Sequence, residues 1–210
     1  MTCLEFVNTP SEYRIAVLSI LGRQLQSLHF YGTQTIDVIK ELSPYHQLEE
    51  LIIGNDYSLL PPPVAADDFP SAENFLPRLK KFEIRICLGP WSPLFECFRP
   101  SLTDIGLGCA HIGTSRSQFN WIEVPNLWPN LREMTLLDTR FNRFAWACLR
   151  EIFSQFKNLR SLTLPPSYGS EVQSKFMRKK LKAALMNPED PNDSVCVRFA
   201  DYPFYEINHY

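Results

Sequence analysis

No two of the six cysteines, at positions 3, 87, 97, 109, 148 and 196, form a CxxC or similar close pair. That argues against a disulfide-stapled secreted domain, which is shorter and denser in cysteine, and against a closed zinc site, which needs four grouped ligands. Charge of one sign is also missing. The chain has 21 basic and 23 acidic side chains and a net charge of -2, so it has no broad pull towards nucleic acid or an acidic membrane. The amino-terminal MTCLEFVNTP lacks the basic and apolar regions of a leader, and no apolar run approaches the length of a membrane-spanning helix. P-loop, GxGxxG, HExxH and GxSxG patterns are absent, which removes the common signatures of nucleotide, metalloprotease and serine-hydrolase chemistry. These absences lead us to expect an intracellular chain, in cytoplasm or nucleus, without cofactor, metal or catalytic residues.

What is present is periodic. A template of one apolar residue, two variable, one apolar, one variable and one apolar recurs along the chain. Its apolar positions are Leu25, Leu28, Phe30; Leu48, Leu51, Ile53; Leu79, Phe82, Ile84; Leu102, Ile105, Leu107; Leu131, Met134, Leu136; and Leu159, Leu162, Leu164. Met1, Leu4 and Phe6 add a seventh copy. So loose a template matches by chance in a chain that is 45% hydrophobic, so two further features decide. Leucine opens six of the seven copies, and the start-to-start spacings are 24, 23, 31, 23, 29 and 28. The lead-in recurs as well, in Phe75–Leu79, Phe98–Leu102, Trp128–Leu131 and Phe156–Leu159.

Side chains alternate faces in a strand, so the fourth and sixth template residues point inward and the third and fifth outward. The intervening stretches should return the chain along the opposite side. Pro10–Tyr13 opens one helical stretch, with Ile15, Leu18 and Ile20 or Leu21 as its apolar stripe. Thr35 is placed to cap a second, with Ile36, Ile39 and Leu42 inward. A third runs from Phe144 to Phe156, with Ala145, Cys148, Leu149, Ile152 and Phe156 on one face, whereas Ser92–Phe98 suits only a single turn. No such unit buries its own apolar face; stacking on its neighbours does. The expectation is an α/β chain with a curved parallel sheet on a concave side, and helices and irregular turns on the convex side.

The strings LPRLKKFEI, WPNLREMTL and FKNLRSLTL resemble the leucine-rich-repeat superfamily, in particular the irregular repeats of fungal-type F-box proteins. The resemblance covers residues 1 to about 165. It implies a leucine-rich-repeat solenoid, a protein partner, and a place as the substrate-recognition part of an F-box-type ubiquitin ligase receptor, although no F-box-like segment lies in these 210 residues. The ninth template position, commonly Asn or Cys, is Thr33, Asp56, Cys87, Ala110, Thr139 and Ser167, so only Cys87 conforms.

The organisation expected is an array of six to seven irregular repeats over 1–168 and a terminal cap over 169–210. The array begins inside its first strand, with no cap before it, as a piece of a longer array would. In the terminal cap, Ser170–Met186 reads as a helix with Met177, Leu181, Ala184 and Leu185 on one face. Val195, Val197 and Phe199 alternate like an edge strand, and Tyr202–Tyr205 is placed to fold over the last repeat. Insertions at Asn55–Asn74 and Cys109–Asn126 map to loops, the first carrying Pro61–Pro63 without PxxP spacing.

The outward strand positions form the candidate binding face: Ser27, His29, Tyr31, Glu50, Ile52, Lys81, Glu83, Arg85, Asp104, Glu133, Thr135, Ser161 and Thr163. Gly106 and Gly108 would leave a shallow gap in it. Charges of both signs side by side suit a polar protein partner rather than a phosphate track. Two other readings stand beside this one. Cys109 and His111 are the nearest approach to a cysteine-dependent hydrolase, but nothing marks an orienting partner or an oxyanion hole, and a buried cysteine at a strand end explains Cys109 as well. The basic run Lys175–Lys182 is the one segment suited to nucleic acid, but a solvated helix face, with Glu171 four residues before Lys175, is the simpler reading of it.

Overall fold

A computed structural model describes residues 3–32, 42, 44–54, 75–84, 101–108, 111–112, 126, 128–136, 140–141, 153, 155–164, 175, 179, 183 and 195–199. Each template copy is a strand that begins at its third residue. In chain order they are β1 (Cys3–Val7), β2 (Ser27–Tyr31), β3 (Glu50–Gly54), β4 (Lys81–Ile84) and β5 (Asp104–Leu107), then, after a short strand β6 (His111–Ile112), β7 (Glu133–Leu136). A second short strand, β8 (Arg140–Phe141), precedes β9 (Ser161–Leu164) and β10 (Cys196–Phe199). Among the described residues, β1, β2, β3, β4, β5, β7, β9 and β10 form one all-parallel sheet in that order, and β6 pairs with β8 separately. The architecture is α/β, with each long strand beside its predecessor in the chain.

The register turns the repeat into a core. Leu4, Leu28, Leu51, Phe82, Ile105, Met134, Leu162 and Val197 lie opposite one another across successive strands. Two residues on, Phe6, Phe30, Ile53, Ile84, Leu107 and Leu136 make a second row. All but half-buried Leu4 are buried. Each such side chain taken from water contributes about 1.5–3 kcal/mol. The leading leucines Leu25, Leu48, Leu79, Leu102, Leu131 and Leu159 are buried as a third row.

The lead-in has a mechanical role. The amides of five of the six leading leucines donate to the carbonyl three residues back: Leu25 to Gly22, Leu48 to Tyr45, Leu79 to Leu76, Leu131 to Trp128 and Leu159 to Phe156. Pro77 and Pro129 follow the accepting residue, where proline's fixed φ suits such a turn. In the last three of these the turn buries Leu76, Trp128 or Phe156 and aims the chain into the strand. One carbonyl then accepts two successive amides from the next unit. Gln26 serves Glu49 and Glu50, Glu49 serves Lys80 and Lys81, and Lys80 serves Thr103 and Asp104. Thr103 and Arg132 do the same for the following two units. Unequal repeat lengths leave this ladder unchanged.

Between β1 and β2 the chain returns through α1 (Ser11–Leu21), which continues into a 3-10 turn at Gly22–Gln24. Pro10 precedes α1 with φ -56, and Glu12 in the first turn faces the positive end of the helix dipole. The expected stripe of Ile15, Leu18 and Ile20 or Leu21 is corrected here. Ile15, Ile20 and Leu21 are exposed, and the inward residues are Arg14 and Leu18, with Val17 half-buried. Arg14 holds that inward place by donating to the Thr9 carbonyl at 2.7 Å, with its guanidinium bridging the loop before the helix. Gly22 is required by close approach, since a Cβ there would lie 2.0 Å from the Tyr45 ring.

Of the other expected helices, Leu42 and Phe156 are buried as expected, and Phe153 is buried although the stripe omitted it. Ile36, Ile39, Ala145, Cys148, Leu149 and Ile152 lie outside the described residues, as do Ser92–Phe98, most of both insertions, the ninth template positions and Tyr202–Tyr205. β10 is the expected edge strand, with Val197 buried and Val195 half-buried against the core. No helix among the described residues is long and apolar enough to cross a membrane.

Candidate functional site

The face opposite the core is polar, and the same alternation builds it. One row runs Cys3, Ser27, Glu50, Lys81, Asp104, Glu133, Ser161 and Cys196, and the next runs Glu5, His29, Ile52, Glu83, Gly106, Thr135, Thr163 and Arg198. Parallel sheets are usually apolar on both faces because helices cover both. Here every strand of the long sheet puts at least one polar or charged side chain on one face.

A hydrogen-bonded group spans β2, β3 and β4. The Ser27 hydroxyl donates to Glu50 Oε2 at 2.7 Å, and Lys81 Nζ donates to Glu50 Oε1 at 2.5 Å. With its one proton committed to Glu50, the Ser27 oxygen accepts from His29 Nε2 at 3.1 Å. His29 in turn meets the Tyr31 ring edge-on, with centroids 6.5 Å apart. Burial alone would raise the Glu50 carboxyl, but the bonds from Lys81 and Ser27 and the charges of Lys81 and His29 outweigh it and hold its pKa below 4.5. The bond to Glu50 raises the Lys81 ammonium above 10.5 against the cost of burial, and the charges of Glu50, Glu83 and Asp104 add to the rise. Lys81 is therefore a cation surrounded by three carboxylates.

The structure brings together His29, Tyr31, Glu50, Lys81, Glu83, Asp104, Glu133 and Thr135 on this one face, on adjacent strands. Lys81 and Glu133 are exposed, and the other six are half-buried. Arg85 lies outside the described residues. Three expectations are corrected. Ser27 is only 1% exposed because it sits beneath Glu50 and His29, to which it is hydrogen-bonded. Ile52 is buried at 6%, flanked in register by the longer His29 and Glu83. Gly106 leaves no gap, because the Glu83 stem lies over it, with Cγ only 2.8 Å from where a Cβ would stand. Among the described residues the face carries Glu5, Glu50, Glu83, Asp104 and Glu133 against Lys81 and Arg198, so both signs lie side by side with acids in excess.

No family model matches this chain, nor does any curated protein or solved structure. His111 opens β6, whose backbone pairs with Arg140, while Cys109 lies outside the described residues. Among the described residues no group of three or more His, Cys, Asp or Glu is placed to hold a metal ion. Cys3 and Cys196 are free, exposed thiols on the two edge strands. In the basic run, Lys175 and Lys179 are exposed, as is Ala183 one turn further on.

Proposed function

We propose that the chain is a non-catalytic scaffold, a leucine-rich-repeat solenoid whose polar sheet face holds another protein. The observation that supports this most is the two-sidedness of the sheet. One face is filled from strand to strand by leucine-type side chains. The other offers a row of polar groups, part of it held in place by the Ser27, His29, Glu50 and Lys81 bonds. Groups already fixed lose little freedom when a partner docks, which favours binding. Affinity purification followed by mass spectrometry tests the proposal. The wild-type chain should recover a partner that a Lys81→Glu, Arg85→Glu variant, shown by its unfolding curve to be still folded, fails to recover. Equal recovery by both would remove this face from the account.

A narrower version makes the chain the substrate-recognition part of an F-box-type ubiquitin ligase receptor, and it rests on the resemblance of the lead-ins and strands to that group. It requires F-box helices in the full-length transcript, and their absence there would end it.

A further inference from the structure

We propose that the end of the sheet at β1 is a contact between two copies of this chain, related by a two-fold axis. β1 stands first in the sheet order and, among the described residues, pairs only with β2. The other edge of an end strand is a template for a further strand unless lysine, proline or a bulge blunts it. Cys3–Val7 contains neither lysine nor proline, and Glu5 is its one charge.

Helix α1 adds an apolar stripe at the same end. Its inward residues are Arg14 and Leu18. At 3.6 residues per turn, Tyr13, Val17, Ile20 and Leu21 lie together on one flank of that inward line. The crossover from β1 through α1 to the parallel β2 is right-handed by the general rule, which turns this flank away from β2. Gly22 marks the opposite flank, because a Cβ there would meet the Tyr45 ring of the following unit. Tyr13 is 67% exposed, Ile20 78% and Leu21 39%, and no charged side chain interrupts the stripe.

The size and symmetry of this end suit a second copy. At roughly 200 Å² for each side chain, the three exposures amount to on the order of 400 Å² per copy, about half of what a stable interface takes from each partner. Strand pairing and the half-buried Leu4 and Val17 extend it. A two-fold contact needs a face that complements itself. With β1 antiparallel to its counterpart and all five residues paired, Cys3 stands opposite Val7, Leu4 opposite Phe6, and Glu5 opposite the other Glu5. An axis perpendicular to the sheet keeps both cores on one side, so the two α1 helices run antiparallel, stripe against stripe. Glu12 opens α1 and Arg23 follows its end, so opposite charges lie side by side at the rim. The facing Glu5 pair is the one unfavourable contact, and it weakens the dimer without preventing it.

Sedimentation equilibrium of the whole chain tests the contact. The wild type should follow a monomer–dimer equilibrium. Ile20→Lys and Tyr13→Glu, both at exposed positions, should each weaken it tenfold or more while the dilute chain unfolds as before. Glu5→Gln should tighten it severalfold. Val7→Cys under a mild oxidant should give a dimer linked between Cys3 of one copy and the new thiol of the other. A chain that stays monomeric at millimolar concentration, a dimer indifferent to Ile20→Lys, oligomers that grow beyond two, or a dimer linked through both Cys3 thiols would overturn the proposal.

Discussion

At the scale of single residues, Glu50 holds the polar face together. Its carboxylate takes one donor from β2 and one from β4, so it ties three strands on the side away from the core. Ser27→Ala removes one donor from a half-buried charge, a loss of about 1–3 kcal/mol by the usual cost of such bonds. Chemical denaturation should show that loss, with Glu50 titrating at higher pH in the variant. The pH dependence has two limbs. Glu50 ionises below 4.5 in the folded chain, so its share of stability is whole above that value and disappears as pH falls through the folded pKa. Lys81 titrates above 10.5, so its share is whole up to that value and disappears as pH rises through the folded pKa. The stability difference between wild type and Glu50→Gln, followed by melting temperature, should therefore hold across neutral pH and shrink below 4.5. The half-exposed pair with Lys81 accounts for only about 0.2–1 kcal/mol of it.

At the scale of elements, α1 shows where periodicity misleads. Seven of its eleven residues are apolar or aromatic, so several stripes fit, and the outcome turns on Arg14. An arginine reads as solvent-facing, yet here its stem packs inward while its head reaches the Thr9 carbonyl, a placement open to a long amphipathic side chain. Leu18, 1% exposed, and Ile20, 78% exposed, then separate the two readings. Leu18→Ala should cost about 2–5 kcal/mol. Ile20→Lys should stay within about 0.5 kcal/mol of wild type, and equal losses in equilibrium unfolding would contradict the observed packing. Strand positions, by contrast, were readable in advance, because in a strand alternation leaves one choice of face once the leucines are found. The contacts across the polar face were less so. That Ser27 lies under Glu50, or that Glu83 covers Gly106, depends on residues 23 apart in the chain in each case, and no local pattern encodes it.

At the scale of the whole molecule, a parallel sheet in chain order needs only that each unit present the same apolar set in the same register, which is why degenerate repeats suffice. Lead-in turns and paired amides reproduce that register whether the spacing is 23 residues, as before Leu48, or 31, as before Leu79. The proposed solenoid and its partner both depend on this ordering, because it lines up one face for the core and the other for binding. Methyl NOE spectroscopy on the 24.3 kDa chain tests the ordering most directly. Cross-peaks should link Leu28 with Leu51, Ile105 with Met134, and Met134 with Leu162, and none should link Leu28 with Met134. A direct Leu28 to Met134 contact, or loss of the three neighbour contacts, would contradict it.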